Sequence, residues 1–230
     1  MELKVIAFDA DDTLWVNEPY FKEVEDQFCL LMEDYLPGHA TAKELFQTET
    51  SNLALYGYGV KGFTLSMIET ALRISNHTID VTAIDQIIGY GKALLQKPIE
   101  LLDGIETVLQ ELQPHYRLVV ATKGDLLDQE RKLKRSGIEH YFHHIEIMSE
   151  KAVSDYAALI RHLDIEPEQF LMIGNSLKSD VLPVLEVGGH AIHIPYHTTW
   201  AHEMVAHHVV HERFRTVKQA QELAELLVPR

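Results

Sequence analysis

Disulfide chemistry is absent from this chain, because its 230 residues include one cysteine, Cys29, and a single thiol cannot pair internally. Positive charge is also scarce. Twenty Lys and Arg against 35 Asp and Glu leave a formal net charge of −15, which argues against a nucleic-acid partner, since binding a phosphate backbone needs clustered basic side chains. No apolar run approaches the ~18 residues needed to cross a bilayer, so no membrane partner is expected. The opening "MELKVIAF" has no basic segment leading into a long apolar stretch and a small-residue cleavage site; no secretory signal is read, and a cytoplasmic location is expected. Repeats, linkers and low-complexity tracts are missing too. What remains is an ordinary globular composition, 46% hydrophobic and 24% charged, long enough for one large domain or for a core with a smaller companion. A small anionic substrate fits such a chain only if a metal ion or lysines reverse the field locally.

Short, mostly apolar runs occur at residues 5–8, 118–121, 145–148, 170–173 and 191–194, and from 118 onward they alternate with helical patterns at 125–137, 151–163 and 178–187. That alternation predicts parallel βαβ units and an α/β fold with a doubly wound, mainly parallel, Rossmann-like sheet. Residues 17–98 read differently, with no strand-like run. "YFKEVEDQFCLLMEDYL" places Phe21, Val24, Phe28, Leu31 and Tyr35 on one helical face behind Pro19, and "FTLSMIETALRI" and "AIDQIIGYGKALL" repeat the 3.6-residue period. An inserted α-helical domain over 17–98 is therefore expected to interrupt a core formed by 1–16 and 99–230.

The first strand runs into "DADDT", residues 9–13. In an open α/β sheet ligands bind beyond the carboxyl ends of the strands, which is where Asp9 and Asp11 fall. Two carboxylates forced together repel unless one is protonated or a cation lies between them, and a hard ion such as Mg²⁺ takes oxygen ligands while keeping waters that a phosphate can displace. Taken alone, the same aspartates also suit turn and cap positions, with Thr13 as a local hydrogen-bond partner. "LVVATKGD" ends a later strand at Thr122, with Lys123, Gly124 and Asp125 opening a helix whose N–H groups and hydroxyl suit a phosphate, or in which Asp125 is a plain cap. "SEKAVSDY" sets Lys151 at a helix entry, and "FLMIGNSLKSDVLP" runs strand, Gly174, Asn175 and then Asp180.

In this order the four stretches resemble the haloacid dehalogenase-like hydrolase superfamily, in the phosphatase branch with a helical cap inserted after the first motif. The resemblance covers the whole chain. It implies that Asp9 is the nucleophile that becomes an aspartyl phosphate and that Asp11 is the general acid and base. It implies that Thr122, Lys123 and Lys151 hold the phosphoryl group, and that Asp9, the Asp11 carbonyl and Asp180 hold Mg²⁺. Asn175 stands where many relatives carry Asp; its amide oxygen can reach the metal or its waters, but it brings no charge. The reaction implied is hydrolysis of a small phosphorylated metabolite. Dehalogenases of the family lack the second aspartate, so Asp11 disfavours that activity, whereas a phosphomutase keeps both. A phospho-accepting signalling module is the non-enzymatic alternative, though such modules are shorter and have no cap.

Three further features stand outside the motifs. "LYGYGVKG", residues 55–62, interrupts the helical insert with Tyr56, Tyr58 and Lys61, and suits either a substrate-reading loop or a hinge. His197 follows the strand at 191–194 and is expected at the rim of the site. The 14 histidines include a His207 and His211 spacing that suits one helical face, but no Cys or carboxylate motif organises them, and a solvated surface is expected.

Overall fold

The structure, a computed structural model, describes residues 2–206 and 208–229; His207 lies outside it. In chain order the elements are β1 (Val5–Phe8), α1 (Glu18–Leu31), α2 (Gly38–Tyr56), α3 (Val60–Ile74), α4 (Val81–Leu94), α5 (Ile105–Leu112), β2 (Arg117–Lys123), α6 (Leu126–Ser136), β3 (His144–Met148), α7 (Val153–His162), β4 (Phe170–Gly174), α8 (Leu182–Val187), β5 (His190–His193), β6 (Phe214–Thr216) and α9 (Glu222–Leu227). The chain divides into two compact units. The first runs up to Glu18 and adds Ile99–Lys123 and everything from Gln129 onward; the second joins Pro19–Pro98 with Gly124–Asp128. No helix among the described residues is long and apolar enough to cross a membrane.

The first unit is built on a parallel sheet of order β3-β2-β1-β4-β5-β6. β1 is central, so it is covered on both faces and reads as an unbroken apolar run rather than an alternating one. Alternation of side chains then feeds two cores. Ile6 and Phe8 join Leu118, Val120, Leu171 and Ile173 under α5 and α9, while Val5 and Ala7 join Val119, Phe170 and Met172 under α7 and α8. The second unit packs α1 to α4 around Val24, Phe28, Met32, Leu45, Phe63, Met67 and Ile87.

Several local readings change. The first helix ends at Leu31, so Tyr35 lies past it and is exposed, and Met32 takes the core position that the periodicity assigned further along. The pattern at 178–187 resolves into a π-helical turn, Leu177–Val181, followed by α8 behind Pro183. β2 continues to Lys123, one residue past the expected end. The short strand β6 and helices α2, α5 and α9 carried no recognised pattern.

Candidate active site

Asp9 follows the last residue of β1 and is tied to the neighbouring strand by its own N–H, which donates to the Ile173 carbonyl at 2.9 Å. Beyond it the chain turns tightly: the Thr13 and Leu14 N–H groups donate back to the Ala10 carbonyl, and Asp12 takes a positive φ of 59°. Aspartate tolerates that region better than a branched residue. The Asp12 carboxylate accepts from the N–H groups of Asn17 and Glu18, each at 2.9 Å, which caps α1. Asp12 is therefore a structural member of the acidic cluster.

Lys151 binds the two other acidic positions together. Its ammonium donates to Asp9 Oδ1 at 2.5 Å and to Asp180 Oδ1 at 2.6 Å, and its side chain is 2% exposed. Asp180 reaches this point because Gly174 leaves space at the end of β4: a Cβ there would lie 2.2 Å from Asp180 Oδ2. That second oxygen accepts from the Ser176 N–H at 2.9 Å, and Tyr156 steadies the turn by donating to the Ser179 carbonyl at 3.0 Å. Burial pushes the Asp9 carboxyl up to about 7, with Asp180 adding to the rise and Lys151 opposing it. Burial also works against the Lys151 charge, but Asp180 and Asp9 outweigh it and hold the ammonium above its usual range. One cation facing two buried carboxylates leaves negative charge uncompensated, a condition that a further cation relieves.

The free side of Asp9 is where such a cation fits. One terminal atom of the Asn175 carboxamide lies 3.2 Å from each of Asp9 Oδ2, the Asp11 carbonyl oxygen and Thr13 Oγ1. As the amide nitrogen it donates to all three; as the oxygen it accepts from the Thr13 hydroxyl and lies beside two further oxygens, a set that also suits a cation. The donor chemistry thus fits a hard divalent ion. Asn175 is itself anchored by its carbonyl, which takes a 2.9 Å hydrogen bond from His193 Nε2 in β5. Burial lowers the His193 pKa, in keeping with a neutral ring that donates.

Asp180, expected on the metal, has Oδ1 on the Lys151 ammonium and Oδ2 on the Ser176 N–H, and Asn175 lies beside Asp9 Oδ2. Lys123 was expected on the phosphate; because β2 runs on to it, its side chain points to the opposite face from Thr122 and instead meets Glu203 Oε1 at 2.5 Å. Thr122 is buried at the strand end, with its hydroxyl 3.5 Å from the Lys123 carbonyl, longer than an ordinary hydrogen bond. The Asp11 carboxylate is held by Trp15 Nε1 at 2.7 Å and by Lys132 Nζ and Gln129 Nε2, each at 2.8 Å. His197 is exposed and pairs with Thr198 Oγ1 at 2.8 Å; His193 is the histidine that reaches the loop. In the second unit Tyr58 lies between α2 and α3, and Lys61 pairs with Asp125 at 2.8 Å. Among the described residues no group of three or more His, Cys, Asp or Glu side chains is arranged to hold a metal, and the His207 and His211 spacing cannot be followed because His207 lies outside them.

Sequence reasoning missed Trp15, Gln129, Lys132, His193 and Glu203. Gln129 and Lys132 are three apart on α6, a spacing that puts both on one face and was readable as such.

The buried aspartate–lysine–aspartate cluster lies beyond the carboxyl ends of parallel strands, where open α/β sheets bind ligands. Residues 3–188 match the haloacid dehalogenase-like hydrolase family, and the chain belongs to it. A crystal structure of a haloacid dehalogenase-like family hydrolase from Xanthomonas campestris superposes with a TM-score of 0.88 at 37% identity, covering 97% of this chain and 90% of that one. The glyceraldehyde 3-phosphate phosphatase of Methanopyrus kandleri is 26% identical over 78% of both chains. That of Methanothermobacter thermautotrophicus is 26% identical over 83% of this chain and 84% of its own.

Proposed function

We propose that this hydrolase is a Mg²⁺-dependent phosphatase acting on a small phosphorylated metabolite through an aspartyl phosphate on Asp9. The observation that carries the reading is the division of the Asp9 carboxylate: Oδ1 is held by Lys151, and Oδ2 faces Asn175. Asp9 Oδ2, the Asp11 carbonyl and Asn175 would hold Mg²⁺, which when bound neutralises charge on the phosphoryl group and so lets two anions meet. Lys151 supplies the same relief from the other side. One Asp9 oxygen attacks phosphorus as the bond to the leaving oxygen breaks, and Asp11 gives that oxygen its proton. Water then attacks the phosphorus of the acyl phosphate, Asp11 takes the proton back, and Asp9 and inorganic phosphate are released. To serve in both steps the Asp11 carboxylate has to turn away from Trp15, Gln129 and Lys132.

Thr122, at the end of β2, is the hydroxyl best placed in the sequence to meet the phosphoryl oxygens. The helical insert, residues 17–98, is proposed as the cap that selects the substrate, with Tyr58 and Lys61 as its candidate contacts. The curated relatives support a three-carbon sugar phosphate as the first substrate to try. Inorganic phosphate release from glyceraldehyde 3-phosphate and a panel of phosphorylated metabolites, with Mg²⁺ and with chelator, tests the proposal. Turnover of at least one member, lost on chelation, is expected. Turnover of none, or turnover indifferent to chelation, overturns it.

A further inference from the structure

The match to the family ends at residue 188, yet a side chain beyond it is wired into the loop that carries Asn175 and Asp180. After β5 the chain forms a single 3₁₀ turn, Ala201–Glu203. This turn delivers the Glu203 carboxylate to three donors. Oε1 accepts from Lys123 Nζ at 2.5 Å, and Oε2 accepts from Ser176 Oγ at 2.5 Å and Ser179 Oγ at 2.6 Å. The loop adds its own closures: Lys123 Nζ donates to Ser179 Oγ at 2.9 Å, and the Ser179 N–H donates to Ser176 Oγ at 3.0 Å. Lys178 fastens the turn again by donating to the His202 carbonyl at 2.9 Å. The Lys123 and Glu203 side chains are 15% and 11% exposed, so their charges are largely withdrawn from water and act on each other and on their neighbours.

We propose that Glu203 is a positioning residue of the Asp9 site. It cancels the charge of Lys123 and pins the loop from Asn175 to Asp180 through the two serine hydroxyls. The inference rests on the reading of that site as one that handles Mg²⁺ and phosphate. Lys123 directly follows Thr122, and Ser176 directly follows Asn175. The Lys123 ammonium itself lies 2.9 Å from Ser179 Oγ, next to Asp180, so removing the carboxylate beside it shifts the local field toward positive, which favours an anion such as product phosphate and disfavours a divalent cation near Asn175. With Glu203 in place the Lys123–Glu203 pair is neutral, and Lys151 is the ammonium in contact with the nucleophile.

The test compares E203Q, which keeps volume and loses the charge, with the double variant K123M/E203Q, which loses both charges. Two quantities are read on each: the competitive inhibition constant of inorganic phosphate, and Mg²⁺ affinity by calorimetry on substrate-free protein. In E203Q phosphate is expected to bind at least about 5-fold more tightly and Mg²⁺ at least about 5-fold more weakly, and in the double variant both return to within about 2-fold of wild type. A folded E203Q with neither change overturns the proposal. So does a double variant as altered as the single one, which would mark a packing effect, or one whose phosphate affinity falls at least about 10-fold, which would make Lys123 a direct phosphate ligand. If E203Q does not fold, the neutral double variant still decides between the last outcome and the proposal. The calorimetric titration needs no turnover. Hydrolysis that survives in Asp9→Asn would defeat the reading of Asp9 as the nucleophile without bearing on the charge measurement.

Discussion

Residues 19–98 and the sheet unit both bury polar side chains, but of different kinds. In the helical stretch the buried polar residues among those described are Thr41, Ser66, Thr70 and Ser75, all neutral hydroxyls inside an otherwise apolar core. The sheet unit buries neutral polar groups too, but among them stand the charged Asp9, Asp12, Lys151 and Asp180, all in the segments that follow its strands. Hydroxyls can satisfy themselves locally, as Thr41 does on the Leu36 carbonyl, and cost little. Buried charges are expensive even when paired, so the ion-paired cluster of three is weak support for stability and is the part of the fold to which the proposed chemistry is assigned.

Five substitutions would break or sharpen that contrast. The largest effect is expected for Asp9→Asn, which keeps volume but removes the nucleophile: kcat on an aryl phosphate should fall at least ~10⁴-fold, about 5.5 kcal/mol, with the circular dichroism spectrum unchanged. Activity above a few per cent of wild type would take Asp9 out of the chemistry.

Lys151→Met leaves two buried carboxylates without their shared cation. Urea denaturation should show a loss of about 3–5 kcal/mol, and a loss below ~1 kcal/mol would mean that the cluster is wetter than its geometry indicates.

The Glu203 pair gives a pH signature. Burial raises the Glu203 carboxyl, but Lys123 and the serine hydroxyls overcome it and hold the group at about 2, against an ordinary value of 4.5. A depressed carboxylate contributes stability that is present above pH ~4.5 and lost as pH falls through ~2, on the order of 3 kcal/mol at most. The Tm difference between wild type and Glu203→Gln should therefore shrink as pH is lowered across that window. A difference that stays constant would remove the charge from the account.

Asn175→Asp adds a negative charge to the proposed metal ligands. Half-saturating Mg²⁺ should fall about 3- to 10-fold, and an unchanged titration curve would place the ion elsewhere. Lys61→Ala supplies the opposite extreme: its ion pair with Asp125 leaves the lysine side chain 56% exposed, so unfolding free energy should move by less than about 1 kcal/mol.

Legibility in the sequence followed the same physics. The central strands of the sheet are buried on both faces, and "VIAF" and "LVVA" announced them as unbroken apolar runs. Helix α2 buries only Thr41 and Leu45 of its 19 residues, so no apolar face marked it, and β6 is a partly exposed three-residue edge strand with nothing to alternate. The acidic positions were readable because carboxylates crowd at strand exits. Their partition was not, because it depends on a π-helical turn that directs Asp180 to Lys151 and leaves Asn175 beside Asp9. β2 runs one residue past its expected end, which is enough to turn the Lys123 side chain to the face opposite Thr122. Glu203 gave no signal at all, being a lone acid in a stretch without periodicity.

The proposal that Asp9 carries the phosphoryl group is tested most directly by rapid acid quench during turnover, followed by peptide mass spectrometry. The Asp11→Asn variant should be run beside wild type, since slower breakdown of the acyl phosphate raises its occupancy. The account predicts one added phosphoryl group on the peptide containing Asp9, labile to hydroxylamine and absent from Asp9→Asn. A phosphoryl group on any other residue, or full turnover with no phosphorylated peptide in either protein, would contradict it.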